Sequence, residues 1–185
     1  MKKIDIRISS NEIELLKSLV GKTLTNIEHD EFVFTNTSSQ VVRLNFTDFS
    51  IFLYSFTEPL DYYGKEEDVA VWSVEKTEHP ILTNKSFIKT PIQQQIHSIS
   101  LVQENQQVFE NGEQIYDVWL TRGIILELGD YQFSFEKPVW FSEDIIIRKG
   151  YNLVTMFRSE KEIEKPGSWA KGTTLKCIRC IYDIK

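Results

Sequence analysis

Ser55-Phe56-Thr57-Glu58-Pro59 returns later in the chain as Ser134-Phe135-Glu136-Lys137-Pro138. Downstream of the first copy come Tyr62, the pair Glu67-Asp68 and the run Val69-Ala70-Val71; downstream of the second come Phe141, Glu143-Asp144 and Ile145-Ile146-Ile147. Upstream, Arg43 precedes Phe56 by thirteen residues, as Arg122 precedes Phe135. Self-similarity of this kind fixes an architecture before any propensity is consulted. Two unrelated β segments would also echo one another, because alternation alone makes strands look alike.

Outward from the two copies, the pattern is one strand after another. In the first half these are Thr23–Ile27, Phe32–Phe34, Val41–Phe46, Ser50–Phe56 and Val69–Val74, with Pro59 read as a breaker. In the second half Ile96–Val102, Val118–Leu128, Tyr131–Phe135 and Ile145–Arg148 follow, with turns at Asn111-Gly112 and Gly129-Asp130. Residues 77–95 contain His79-Pro80 and Thr90-Pro91 and show no sustained period, which reads as a connector. Lys161–Gly172 reads as a loop or short helix, and Thr173–Ile184 alternates like a strand.

The clearest helix follows the alternating Lys3–Ile8 segment. Ser9 and Asn11 offer caps with Glu12 and Glu14 three residues on, Ile13, Leu16 and Val20 have helical spacing, and Gly21 is a natural stop. The expected fold is therefore mainly β: two similar antiparallel halves packed as a sandwich or partly closed barrel, with one short N-terminal helix. One domain of residues 1–185 would divide into a first half (22–75), a connector (76–95), a second half (96–149) and a C-terminal loop with closing strand (150–185).

Composition narrows the function classes. A net charge of −6 and pI near 5.2 disfavour nucleic acid as the main ligand and favour a basic protein partner. Modest acidity is also how an ordinary protein stays soluble. The N-terminus lacks the apolar core of a signal peptide and the longest apolar runs are strand-length, so no membrane association and a cytoplasmic location are expected. Exposed sheet edges leave homodimerisation open.

Candidate chemistry is sparse. Cys177-Ile178-Arg179-Cys180 has redox spacing, but in a strand residues three apart face opposite ways, so the sulfurs diverge. Zinc would need two more ligands, and His29, His79 and His97 show no paired spacing, so neither metal nor cofactor is expected. Gly167–Thr173 superficially matches a phosphate loop, but its Lys171 precedes the second Gly and a strand follows, so a turn anchored by Trp169 is the plainer reading. His97-Ser98 has no nucleophile elbow around it.

The acidic pairs Glu67-Asp68 and Glu143-Asp144 recur beside Trp72 and Trp140. Carboxylate pairs serve as cation ligands or acid–base partners, and equally as solvated strand ends that blunt an edge. Trp72 and Trp119 suit the core; Trp140, beside Phe141, suits a surface anchor. These features point to a non-enzymatic binding protein acting on a macromolecular partner, inhibitor- or immunity-like, through Glu67, Asp68, Trp140, Glu143 and Asp144. An enzyme with a site assembled from dispersed carboxylates, and a small-ligand or sugar-binding module, are the competing classes.

Overall fold

A computed structural model describes residues 1–30, 38–76, 86–165 and 172–185. The readings of Phe32–Phe34, His79-Pro80 and Trp169 lie outside these residues. Chain order is β1 (Lys2–Ile6), α1 (Ser10–Lys17), β2 (Thr23–Asp30), β3 (Ser38–Ser39), β4 (Val41–Asn45), β5 (Ser50–Tyr62), β6 (Lys65–Glu75) and β7 (Phe87–Gln95). The second part runs β8 (Ser98–Glu110), β9 (Glu113–Glu127), β10 (Gln132–Glu136), β11 (Ile145–Gly150), a 3-10 turn (Leu153–Met156), α2 (Glu160–Ile163) and β12 (Thr173–Ile184).

The protein is mainly β; the described residues form two sheets and no closed barrel. One sheet has the order β6-β5-β4-β2-β7; the other has β12-β8-β9-β10-β11-β3, with β1 added parallel to β9. Stripped of β1 and β3, the two sheets share one topology. Four strands meander in chain order, and a fifth returns to pair antiparallel with the first: β7 on β2, β12 on β8. The hairpins that carry the two Ser-Phe copies also share their register, with Phe56 opposite Val71 and Phe135 opposite Ile147.

Leu24, Ile27, Leu44 and Leu53 of the first sheet meet Leu101, Ile124, Leu126 and Phe135 of the second, and Leu16 of α1 and Leu19 just after it join them. This is the sandwich core, built by period-2 alternation in both sheets. Ser9 caps α1 through a reciprocal box with Glu12, and Gly21, at φ 83°, ends the segment. Trp72 ties the sheets together by donating from Nε1 to the Thr121 carbonyl at 2.8 Å.

Two expectations need correction. Pro59 does not end its strand: β5 continues to Tyr62, with Pro59 opposite Asp68. Beyond Tyr54 the partner strand β4 has run out, so this part of β5 pairs only with β6 and tolerates a residue that cannot donate. The segment 76–95, read as a connector, contains β7. Its alternation is hidden because β7 is a largely exposed edge strand, and because the register slips near Pro91, where Gln93 takes φ 57°.

Candidate functional site

The described chain places charge where a β-protein usually places leucine. Along the face of the second sheet opposite the sandwich core, five strands contribute alternating charges: Arg179 (β12), Glu104 (β8), Arg122 (β9), Glu136 (β10) and Arg148 (β11). Arg179 Nη2 donates to Glu104 Oε1 at 2.6 Å, and Arg122 Nε lies 3.8 Å from that same oxygen. Arg122 Nε donates to Glu136 Oε1 at 3.1 Å, and Arg148 Nη1 to Glu136 Oε2 at 2.6 Å. Glu104, Arg122 and Glu136 are each at most 1% exposed.

A β-bulge makes this row possible. Val102 pairs with Gly123 and Gln103 with Thr121, so Arg122 is the extra residue. A bulge re-aims its side chain and frees backbone groups. The freed groups are used: Thr121 O accepts from Trp72, and Arg122 O accepts from the Lys137 amide at 3.0 Å. Gly123 is required next to it, because an added Cβ would stand 2.6 Å from both the Phe135 carbonyl oxygen and the Phe157 ring. That ring packs on Val102 and Ile125 of the sheet and, 5.9 Å from the Arg148 guanidinium, roofs this end of the row.

The first sheet holds a shorter version of the same arrangement. Lys89 (β7) and Arg43 (β4) flank Glu28 (β2) at 3.3 and 3.4 Å. Strand for strand, Lys89, Glu28 and Arg43 match Arg179, Glu104 and Arg122. Here, however, Arg43 and Lys89 are 41% and 60% exposed, so water screens the row.

Two cavities open beside the buried row and share Arg122, Pro138, Val139 and Arg158. One, of about 220 Å³, is completed by Gln106, Trp140, Phe141 and Ile163. The other, of about 500 Å³, reaches Glu136, Arg148 and Phe157. Neither is lined by Lys137, whose side chain is 2% exposed, with Nζ 5.1 Å from the centre of the Trp72 ring. Burial pushes that ammonium down to about 7, with Glu143 opposing more weakly.

The predicted binding residues are only partly brought together. Trp140 is not a surface anchor: it is 2% exposed, packed with Val69, Val108 and Ile163, and its carbonyl accepts from Ala70 N at 2.7 Å. A ring that large is drawn under the hairpin tip because covering it removes more apolar surface than any neighbour would. That contact brings the Glu143-Asp144 loop against the strand carrying Glu67-Asp68. Glu67 and Asp68 are exposed and, as strand neighbours, face opposite ways. Glu67, opposite Leu60, shares the face of Val69; Asp68 does not. Glu143 is half-buried and accepts from Gln40 Nε2 at 2.5 Å. Asp144 is half-buried, with its amide on Ser142 Oγ. Trp119 is likewise only half-buried, under the Arg7 guanidinium at 4.9 Å, rather than in the core.

At the tip of the β5–β6 hairpin the aromatics gather. Tyr62 packs edge-on against Tyr63, Trp140 and Phe141, and Tyr116 tilts onto Tyr62 and Tyr63. Tyr63 and Phe141 remain 43% and 38% exposed. Tyr63 also takes φ 54° in a two-residue turn with Gly64, a conformation that bulky residues avoid. The equivalent place in the β8–β9 turn is held by Asn111, which suits it.

Both cysteines sit in β12 and are free; Cys177 is buried and Cys180 half-buried. Among the described residues, no three His, Cys, Asp or Glu side chains converge as a metal site, and no helix is long and apolar enough to cross a membrane. Neither the sequence nor the fold matches a known protein family, a curated protein or a solved structure.

Sequence reasoning used Arg122 and Glu136 only as markers of the repeat and passed over Glu104, Arg148 and Arg179. A partial signal was present at Arg122, which interrupts the apolar run from Val118 to Leu126 in a strand covered on both faces, where a charge must be paired; Glu104 lies among the polar residues Gln103 to Gln107 and gives none.

Proposed function

We propose that this is a non-enzymatic binding protein that engages a macromolecular partner with a basic surface through the tip of the β5–β6 hairpin. The observation that carries this reading is Tyr63: a large aromatic held at positive φ, exposed, and packed against Tyr62 and Tyr116, with Phe141 on the far side of Tyr62. Strained, solvent-facing residues cluster at functional sites, and Tyr and Trp dominate the centres of protein interfaces. Glu66 and Glu67, exposed on the same hairpin, supply an acidic rim that steers a cationic partner. Asp68, on the other face, and the half-buried Glu143 and Asp144 contribute to the field around the patch rather than to contacts at its centre. The net charge of −6 agrees with this sign.

The enzyme reading has less behind it, because the buried carboxylates Glu104 and Glu136 already accept hydrogen bonds from arginines. The test is affinity capture from the source cell with the wild-type chain, Tyr63→Asn and Glu67→Lys. A partner held by the wild type should be lost with Tyr63→Asn, which relieves the turn and leaves the fold intact. With Glu67→Lys it should bind more slowly and with weaker salt dependence. An identical set of captured proteins for all three would refute the reading.

A further inference from the structure

Exposed apolar side chains gather round the smaller of the two cavities. Val139 and Phe141, each 38% exposed, stand in its wall, and Val139 also lines the larger cavity beside the exposed Met156. Tyr63 joins the same surface through the Tyr62 ring, which packs on both Tyr63 and Phe141. Apolar residues exposed singly need no explanation, but a contiguous apolar surface marks a place where something binds. Inside, the cavity is walled by Pro138, Trp140 and Ile163. Gln106 and Arg122 complete it, but both are buried and hydrogen-bonded to Glu104 and Glu136, so neither offers an open polar partner. The exposed Arg158 also lines it.

Volume and surroundings together select the occupant. At about 220 Å³ the cavity is smaller than the roughly 300–1,000 Å³ of sites that enclose a drug-sized ligand, yet the apolar surface around it continues to the hairpin tip. One large apolar side chain projecting from a macromolecule fills the first and covers the second, which is how a central anchor and its surround are arranged at protein interfaces. Charge selects the macromolecule. Glu67 is exposed on the same face of β6 as Val69, which packs with Trp140 and Ile163 of the cavity wall, and Glu66 is exposed next to it. We infer that the cavity receives one large aliphatic or aromatic side chain of the partner, carried on a segment whose basic residues lie on the Glu66–Glu67 side and not on the Arg158 side. This rests on the reading of the hairpin tip as a partner surface and adds to it the point at which the partner is anchored.

A random peptide library displayed on phage and selected on the immobilised full chain tests this without a known partner. The expected outcome is an enriched family with one invariant Leu, Ile, Met or Phe and with Lys or Arg to one side of it. Titrated calorimetrically, a synthetic member should bind about tenfold or more weakly when its invariant residue becomes Ala, the loss implied by leaving a large apolar side chain unburied. Its addition should shift the Trp140 indole N–H resonance. Val139→Trp, at an exposed loop position, should fill the cavity and abolish binding without altering the melting temperature. Glu67→Lys should lower the affinity and flatten its salt dependence. The inference fails if no family with an apolar anchor is enriched, or if Val139→Trp binds the peptide as the wild type does. Anchored peptide binding that survives Tyr63→Asn, with no captured protein lost from that variant, would sustain the cavity and refute the hairpin reading. Loss of capture in Tyr63→Asn without any peptide family would do the reverse.

Discussion

Arg122 and Glu136 meet across neighbouring strands, Nε to Oε1 at 3.1 Å, each no more than 1% exposed, at a bulge where β9 carries an extra residue. A buried pair of this kind is weak evidence of stability for its own sake, because desolvation offsets much of the attraction. Removing one partner is another matter.

Glu136→Ala should therefore destabilise the fold by about 3–5 kcal/mol, since it leaves Arg148 without a counter-charge and the buried Arg122 with only Glu104, 3.8 Å away and shared with Arg179. Glu28→Ala in the matching but solvated row should cost under about 1 kcal/mol. Urea unfolding of the two variants is the comparison, and similar losses would mean that the buried row is not the framework described.

Lys137 predicts a pH dependence with a definite sign. Its pKa falls from 10.5 to about 7 in the folded protein, chiefly through burial. Between those values the unfolded chain holds a proton that the folded chain lacks, so stability rises as pH increases from about 7 to 10.5, and below 7 the penalty is fully present. Lys137→Met should remove that penalty, on the order of 5 kcal/mol at pH 6. The wild-type-minus-variant difference should shrink towards alkaline pH; a difference that is constant with pH would contradict the assignment.

The two thiols should behave differently. Burial, reinforced by Glu104, pushes Cys177 up to about 12, whereas Cys180 is half-buried. Since the thiolate is the reactive form, iodoacetamide should modify Cys180 first and Cys177 only on unfolding. Peptide mapping after brief exposure at pH 8 decides this, and preferential labelling of Cys177 would reverse the assignment.

Gly123→Ala should be disproportionately harmful. The new methyl meets the Phe135 carbonyl oxygen, which belongs to the sheet, as well as the Phe157 ring, which belongs to the roof. A loss of about 1–3 kcal/mol is expected from overpacking. Adding Phe157→Leu should recover only the part due to the ring; full recovery would show that the backbone contact is slack.

Alternation made most of the fold legible. β12, the capped α1 and the Asn111-Gly112 turn follow from local sequence because each is specified by residues next to one another. β7 and the far end of β5 were not legible, because β7 buries only Ile92 and fills the rest of its inward face largely with polar residues, and because Pro59 is tolerated only where β4 has ended. The row of charges was illegible for a different reason. Its members come from five strands spread from Glu104 to Arg179, and a single charge in an apolar run does not announce its counter-charge. Trp140 shows the converse: its neighbours Val139 and Phe141 are exposed, and only the hairpin folding over from β5–β6 buries the ring between them.

The return of β12 to β8 makes the assembly of the second sheet depend on the order of synthesis. A nascent chain halted before Thr173 would display β8 as an open edge, with Glu104 lacking its Arg179 partner. It would also lack the N–H groups of Cys177 and Arg179, which α2 clasps through Glu164 and Glu160. Until that strand arrives, the edge of β8 is a template for intermolecular pairing, and β12 is what removes it.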